Sequence, residues 1–455
     1  MEKHNKLILT DHRFYKSFFL LCLPIMLQNM ISLGVNLADN LMLGRFSEAA
    51  LSGVTAVNQI QFVYAQLING CGEAMVILAS QYWGKKEIDP IRRIASISMR
   101  SGLTVMLLLF LFTSFFPRQA MLLFTNDEAL IATGMEYLRI IKFTYPFFCV
   151  TTILLCMLQA TQVVRIALTL SCSTLIINCC INYTLIYGNF GMPRLGVTGA
   201  AIGTLTARVV ELLILLWFLH KKEQNIHIKL KDFFHVDKLL TKDFFKVGTP
   251  VLILKLMWGC NTAMQTVILG HLSSAAIAAN SMASNLYLLI KTMATGEASA
   301  TNVIIGKTIG EGKSEDELRL CSRSLQMVFL IIGVFSSLLM FVLSEPILSL
   351  YSFSEESRYL ARAFLRILCV VMLFMCYQMP VNTGIIKGGG DTQFVVKLDI
   401  VCIWSIAIPA ALLAAFVFNA SPIVVVFCLN LDQFCKSIPS GIHVNRGHWM
   451  KKLTR

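Results

Sequence analysis

The feature that most constrains this chain is the recurrence of apolar runs of about 20 residues, the length an α-helix needs to cross the hydrocarbon core of a bilayer. Twelve such runs can be counted, at approximately 17–43, 50–80, 94–116, 137–160, 167–187, 197–219, 244–269, 275–305, 324–343, 360–386, 394–417 and 422–441. Short polar joints separate them. Composition agrees, with 14% of the residues charged against about 25% in soluble domains. In lipid every backbone N–H and C=O must be bonded within the protein, which leaves helices as the form for runs of this length. The expected class is an all-α polytopic membrane protein with twelve transmembrane helices. A basic head with Lys3, Lys6, Arg13 and Lys16 precedes the first run. That run is too long for the apolar core of a signal peptide, so it is read as a retained first helix.

The formal net charge of +13 could suggest a nucleic-acid partner, but its distribution argues against one. Lys and Arg concentrate at the two termini and in the joints after the second, fourth, sixth, eighth and tenth runs, which the positive-inside rule places in the cytoplasm. Both termini are therefore expected to be cytoplasmic. The largest basic stretch, 220–246, holds Lys221, Lys222, Lys229, Lys231, Lys238, Lys242 and Lys246 together with Phe233 and Phe234. It reads as an interfacial linker lying on anionic headgroups. The 14 cysteines fall mostly inside apolar runs without metal-ligand spacing, and are expected to be buried thiols rather than disulfides or metal ligands.

That basic stretch divides the chain near its middle, and the two sides resemble each other. A shift of 226 residues places Phe18-Phe19 on Phe244-Phe245, Pro24 on Pro250, Gly44 on Gly270, Ala49-Ala50 on Ala275-Ala276, Gly70 on Gly296 and Gly84 on Gly310. A shift of 227 places Leu138-Arg139-Ile140 on Leu365-Arg366-Ile367. Six crossings per repeat return the chain to the side it started from, so the expected architecture is two pseudo-symmetric six-helix lobes in parallel repeat. The expected divisions are an amino-terminal lobe at 1–220, a basic cytoplasmic linker at 221–243, a carboxy-terminal lobe at 244–441 and a cytoplasmic tail at 442–455. Proline interruptions at matching positions of two repeats point to a substrate site near the bilayer midplane. Pro24 and Pro250 form such a pair, although a proline kink can also be a tolerated bend without function.

A charged group in the bilayer costs about 2.5–3.5 kcal/mol on insertion scales and is by default a functional hypothesis. Gln28, Ser32, Asn36 and Asp39 recur at helical spacing and share one face of the first helix. Asp39 ends that stripe, where it could alternatively snorkel to the interface. The second helix carries Gln59, Gln66 and Glu73 at seven-residue spacing, and the fifth carries Ser171, Thr174, Asn178 and Asn182. In the sixth, Thr204, Arg208 and Glu211 share a face; Arg208 and Glu211, three apart, can neutralise each other as a structural pair. The second repeat differs, with Lys255 at the position equivalent to Asn29, and with Lys291, Glu297 and Asp399 as further charges. A buried lysine there can be a fixed counter-ion or a titrating group. The sequence lacks GxSxG, HExxH, Walker A and post-strand GxGxxG patterns, and the glycine run in Lys387-Gly388-Gly389-Gly390-Asp391-Thr392 reads as a tight turn between two helices. Without a nucleotide site, uphill transport would have to draw on an ion gradient.

Four segments resemble the multidrug and toxic compound extrusion (MATE) family: PIMLQNMISLGVNLADNLMLGR (24–45), NCCINYTLIYGNFGMPRLGVTGAAIGT (178–204), GTPVLILKLMW (248–258) and KGGGDTQF (387–394). The likeness extends over essentially the whole chain. It implies a monomer in a bacterial inner membrane that exports small lipophilic, often cationic, compounds from a central cavity by alternating access, in exchange for Na⁺ or H⁺ and without a cofactor. By resemblance, Asp39 is the essential carboxylate of the amino lobe, Asn178 and Asn182 match the fifth-helix NxxxN/D motif, and Thr204 matches the threonine closing GAAxxT. These four would bind the coupling ion, while Gln28, Asn36, Gln59, Gln66, Glu73, Lys255, Tyr377 and Asp399 would line the substrate cavity. Two departures stand out: Asn182 replaces an aspartate found in some members, and Lys255 lies where related members often carry a glutamate. Both leave Asp39 as the main titratable group of the expected ion site. The alternatives are a flippase for lipid-linked saccharides, which would call for a strongly cationic cavity, and a membrane-embedded transferase, which would call for a charged cluster at a membrane face.

Overall fold

A computed structural model describes residues 9, 11–125, 127–222, 237–349, 351 and 354–454. Most of the basic joint read above as an interfacial linker, residues 223–236, lies outside the described residues. The first repeat comprises α1 (His12–Phe46), α2 (Glu48–Gly84), α3 (Ile88–Phe115), the short α4 (Pro117–Leu122), α5 (Glu128–Ile141), α6 (Thr144–Ala160), α7 (Arg165–Tyr187) and α8 (Val197–Lys221). The second comprises α9 (Lys238–Gly270), α10 (Ser274–Gly310), α11 (Glu315–Ser349), α12 (Glu355–Met379), α13 (Thr392–Asp399), α14 (Ile408–Leu412), α15 (Pro422–Leu429) and α16 (Leu431–Arg446). Wide π-helical turns at Pro380–Ile386, Ile400–Ala407 and Leu413–Val417 extend α12 and join α13 to α14 and beyond. No strand occurs among the described residues.

Each of the twelve expected spans coincides with a helix or a joined pair. Ten are long and apolar enough to cross a membrane by themselves, and α5 with α6 forms an eleventh, bent by 56°. The twelfth, α10, has the length of 37 residues but carries Lys291, Glu297 and many small polar side chains. The fourth span, expected as one helix from 137, instead begins at Glu128 and breaks around Lys142 and Phe143. The physical cause is Pro146: it offers no N–H to the Lys142 carbonyl, and its ring crowds that carbonyl. The start at Glu128 follows from the Asp127 cap, whose carboxylate accepts from the Ala129 and Leu130 amides.

By internal contacts the chain divides into two compact units: Met1–Met26 with Ser80–Lys85 and Ile253–Arg455, and Leu27–Ala79 with Lys86–Leu252. Pro24 and Pro250 both lie inside continuous helices, and each unit boundary in α1 and α9 falls two residues after the proline. Within the second unit the core includes Leu43, Ala50, Val57, Tyr137, Leu138 and Ala200. Within the first it includes Ala276, Ala283, Phe364, Leu365 and Met372. Ala50 and Ala276, like Leu138 and Leu365, are equivalent positions of the repeat, so the duplication shows in packing as well as in sequence. Many large side chains such as Leu108, Phe115, Ile331 and Phe418 point outward, as a lipid-facing surface requires.

Glycines set the closest helix crossings. Gly199 and Gly203, one turn apart on α8, leave no room for a Cβ against Leu185 and Asn182 of α7. At the other end of α2, within the first unit, a Cβ on Gly84 would overlap the Lys307 carbonyl, and a Cβ on Gly310 would overlap the Gln81 carbonyl. Gly84 is the repeat counterpart of Gly310, and Gln81 that of Lys307, so the contact is reciprocal. Behind it, the glycine run read as a tight turn has that form, with Gly390 at φ 96°. The tail closes over it: Trp449 is fully buried, and Lys451 donates its amide to the Gly389 carbonyl and its ammonium to Asp391 at 2.8 Å.

Candidate functional site: a carboxylate chain in one half and a lysine cluster in the other

The amino-half stripes meet where α1, α7 and α8 pack. Asn182 Nδ2 donates to Asp39 Oδ1 at 2.6 Å and to Asn178 Oδ1 at 3.2 Å. Asn178 Nδ2 donates in turn to Thr204 Oγ1 at 3.3 Å. Asn178 and Asn182, four residues apart on one face of α7, are 1% and 0% exposed, and Gly203 is what lets the Asn182 amide sit against α8. Tyr187 fixes this end of α1 by donating its hydroxyl to the Met42 carbonyl at 2.8 Å. The structure thus brings together all four residues assigned to ion binding.

One neighbour went unread in the sequence. Tyr137 of α5 is buried within reach of Asp39, Thr204 and Gln61. A tyrosine in an apolar run carries no signal of its own, so nothing in the spacing could have found it. Arg208 lies within electrostatic reach of Asp39 and is also tied to Glu211 at 2.7 Å, the neutralising pair expected from their spacing, with its guanidinium over the Phe148 ring.

The oxygens of Asp39, Asn178, Asn182 and Thr204 are hard donors suited to a small hard cation. Asn182 Oδ1 is buried with no hydrogen-bond partner, an orphan acceptor beside the carboxylate that a cation would satisfy. No group of three or more His, Cys, Asp or Glu side chains with metal-binding geometry occurs among the described residues. The arrangement offers one carboxylate ringed by neutral amide and hydroxyl groups.

The other amino-half candidates stay out of this chain. Asn36 and Gln59 are exposed, while Gln28, Gln66 and Glu73 are half-buried. None of the five hydrogen-bonds to Asp39, Asn178, Asn182 or Thr204. Ser32 returns its hydroxyl to the Gln28 carbonyl of its own helix.

In the carboxy half, Asp399 is brought to a partner that sequence reasoning missed. Lys436 Nζ, in α16, stands 2.8 Å from Asp399 Oδ1 and 3.1 Å from Asp432 Oδ2. The network continues from Asp432 to Gln433 at 2.8 Å, to Gln378 at 2.7 Å, to Asn382 at 3.0 Å and to Ser440 at 2.8 Å. Asn382 reaches it from the π-helical turn at Pro380–Ile386. Asp432 and Lys436 are four residues apart in an apolar span, a spacing that could have flagged them. Lys255 and Trp258 share a face of α9, and Lys291 of α10 holds its ammonium 5.4 Å from the Trp258 ring centroid.

Tyr377 is set apart from these residues. Its hydroxyl donates to Gln326 Oε1 at 2.9 Å, and with Leu330, Phe374, Ile438 and Ile442 it lines a cavity of about 650 Å³ between α11, α12 and α16. Glu297 is fully buried against Cys22 and Cys376, and neither carboxylate oxygen has a hydrogen-bond partner. All 14 cysteines are free, with Cys172, Cys180 and Cys260 exposed rather than buried as expected. The exposed positions lie on α7 and α9.

Comparison with known proteins gives matches over nearly the whole chain. The MatE family model matches twice, at residues 24–184 and 251–413, covering more than half of the chain and repeating the internal duplication. A probable multidrug resistance protein NorM of Thermotoga maritima is 24% identical over 446 residues, covering 97% of this chain and 94% of its own. An uncharacterized transporter, YisQ of Bacillus subtilis, is 23% identical over 398 residues, covering 87% of each chain. Among solved structures, a mutant of the Vibrio cholerae MATE transporter VcmN superposes with a TM-score of 0.86 at 15% identity, covering 97% of this chain and 98% of that one.

Proposed function

Because the chain belongs to the MatE family, matched by its model in both halves, we propose that it is a secondary active exporter of small lipophilic, often cationic, compounds, driven by inward Na⁺ or H⁺. The relatives named as multidrug resistance proteins support the substrate class. The Lys and Arg excess at the termini and alternate joints supports a multi-pass arrangement in a bacterial inner membrane with both ends cytoplasmic. The chain works as a monomer, each molecule carrying its own ion site.

The observation that carries the coupling is the hydrogen-bonded chain Asp39–Asn182–Asn178–Thr204. A proton or Na⁺ on Asp39 removes the charge that the Asn182 amide now serves, so occupancy changes what α1 gains from packing on α7. Coupling requires that ion binding favour one arrangement over another, since a ligand with equal affinity for both shifts nothing. Beyond Pro24, α1 is the element suited to respond, because its hydrogen-bond ladder is already interrupted there.

Asp39→Asn keeps the shape and removes the charge. In proteoliposomes loaded with a fluorescent lipophilic cation, the variant is expected to fall below about a tenth of the wild-type efflux rate under an imposed Na⁺ or pH gradient. Substrate binding should stay within about threefold of wild type. Which of the two gradients drives the wild type identifies the ion, and efflux by the variant at the wild-type rate would end the assignment.

A further inference from the structure

The charged groups inside the two halves are arranged differently. Around Asp39, Arg208 and Glu211 are bonded to each other at 2.7 Å, which leaves one carboxylate in excess. In the carboxy half, three lysines, Lys255, Lys291 and Lys436, face two carboxylates, Asp399 and Asp432. Lys436 is held by both carboxylates, at 2.8 and 3.1 Å. Lys291 is within electrostatic reach of Asp432, Lys436 and Lys255, yet no carboxylate lies within ion-pairing distance of it among the described residues. Glu297, on the same helix, is fully buried within electrostatic reach of Cys22 and Cys376. The contact Lys291 does make is with the indole of Trp258 at 5.4 Å, which offsets only part of the cost of an ammonium in the membrane interior. Trp258 is 37% exposed while Lys291 is half-buried, so the indole is the accessible side of the pair and the ammonium lies behind it.

We propose that Lys291, backed by Lys255 and set beside Trp258, is an anion-accepting subsite that takes the carboxylate of an amphiphilic substrate, with the aromatic body of that substrate along the indole. The class of cargo is thereby narrowed from simple lipophilic cations to compounds that also bear a carboxylate, chiefly zwitterions. A carboxylate on Lys291 gains a charge-assisted hydrogen bond in a region of low dielectric, while Lys436 is already satisfied and does not compete for it. The proposal rests on the export reading above, but its test reads binding alone.

The probes are a rhodamine with its free carboxylate and the methyl ester of the same dye, which differ by one negative charge and share one aromatic body. Binding to the purified full chain in detergent is followed by fluorescence anisotropy. The wild type is expected to bind the free acid about tenfold more tightly than the ester. Lys291→Gln should abolish that preference by weakening the acid alone, and Lys291→Arg should restore it. Equal binding of acid and ester by the wild type, or an equal loss for both dyes in Lys291→Gln, would overturn the subsite. Asp39→Asn in the same assay should keep the acid-over-ester preference, so a failure of ion coupling and a failure of this subsite give different results.

Discussion

Removing the ammonium of Lys436 would leave Asp399 and Asp432 facing a low-dielectric interior with no cation in ion-pairing range among the described residues. Breaking such a buried arrangement costs about 3–5 kcal/mol, whereas replacing all of its charges by neutral groups of similar shape is often close to neutral. Lys436→Met is therefore expected to lower the thermal unfolding midpoint in detergent markedly. Adding Asp399→Asn and Asp432→Asn to it should restore most of the loss, and a triple variant as unstable as the single would refute the charge argument. These residues also mark the limit of what the sequence made legible in the site. Asp39, Asn178, Asn182 and Thr204 were readable because each lies on a polar stripe at helical spacing and matches a motif of the family the sequence resembles, and the structure bonds them in one chain. The partner of Asp399 was not, because pairing between α13 and α16 depends on how two distant segments meet. Tyr377 was expected in a cavity with Asp399 but bonds to Gln326 on a different side of α12, since a one-residue step, from Tyr377 to Gln378, turns a side chain about 100° around a helix.

Among the elements, α9 shows how a helix is started at the membrane edge. Asp237 precedes it and accepts from the Leu239 and Leu240 amides at 3.0 and 3.1 Å, while Arg93 pairs with its other oxygen at 3.0 Å. The Leu240 amide above all holds this carboxylate below its ordinary value of 3.8, against the opposing effect of desolvation and with help from Arg93 and Leu239. A carboxylate depressed in the folded state contributes stability that is complete above its unfolded value and is lost as pH falls through the folded one. The cap is thus in full effect at neutral pH and weakens only below 3.8. Asp237→Ala should cost about 1 kcal/mol at pH 7, read from thermal melts, with the gap to wild type closing in strong acid. Helix existence and span number were legible at this scale because the apolar runs are long and the joints short. The break between α5 and α6 was not, because Pro146 acts on a carbonyl four residues earlier and a proline inside a span can also be carried within one continuous helix, as Pro24 and Pro250 are. The π-helical turns left no mark either, since they change hydrogen-bond register without changing hydrophobicity.

For the molecule as a whole, the glycine crossing of α2 and α10 carries the widest implication. Gly84 meets Lys307 while Gly310 meets Gln81, and the two glycines also approach each other. Because the contact is its own image, Gly84→Val and Gly310→Val are expected to do equal damage, about 1–3 kcal/mol each, measured by thermal unfolding in detergent. Unequal losses would show that the symmetry is only approximate in energy. A surface that meets a copy of itself is what a two-fold dimer makes, and the duplicated sequence gives this crossing the same form within one polypeptide. Within one polypeptide the two copies are not obliged to remain alike. Asp39 has become Gln265 in the second copy, and Asn29 has become Lys255. A homodimer would be obliged to put the same side chain on both sides; a single polypeptide can hold a carboxylate in one copy and an ammonium in the other.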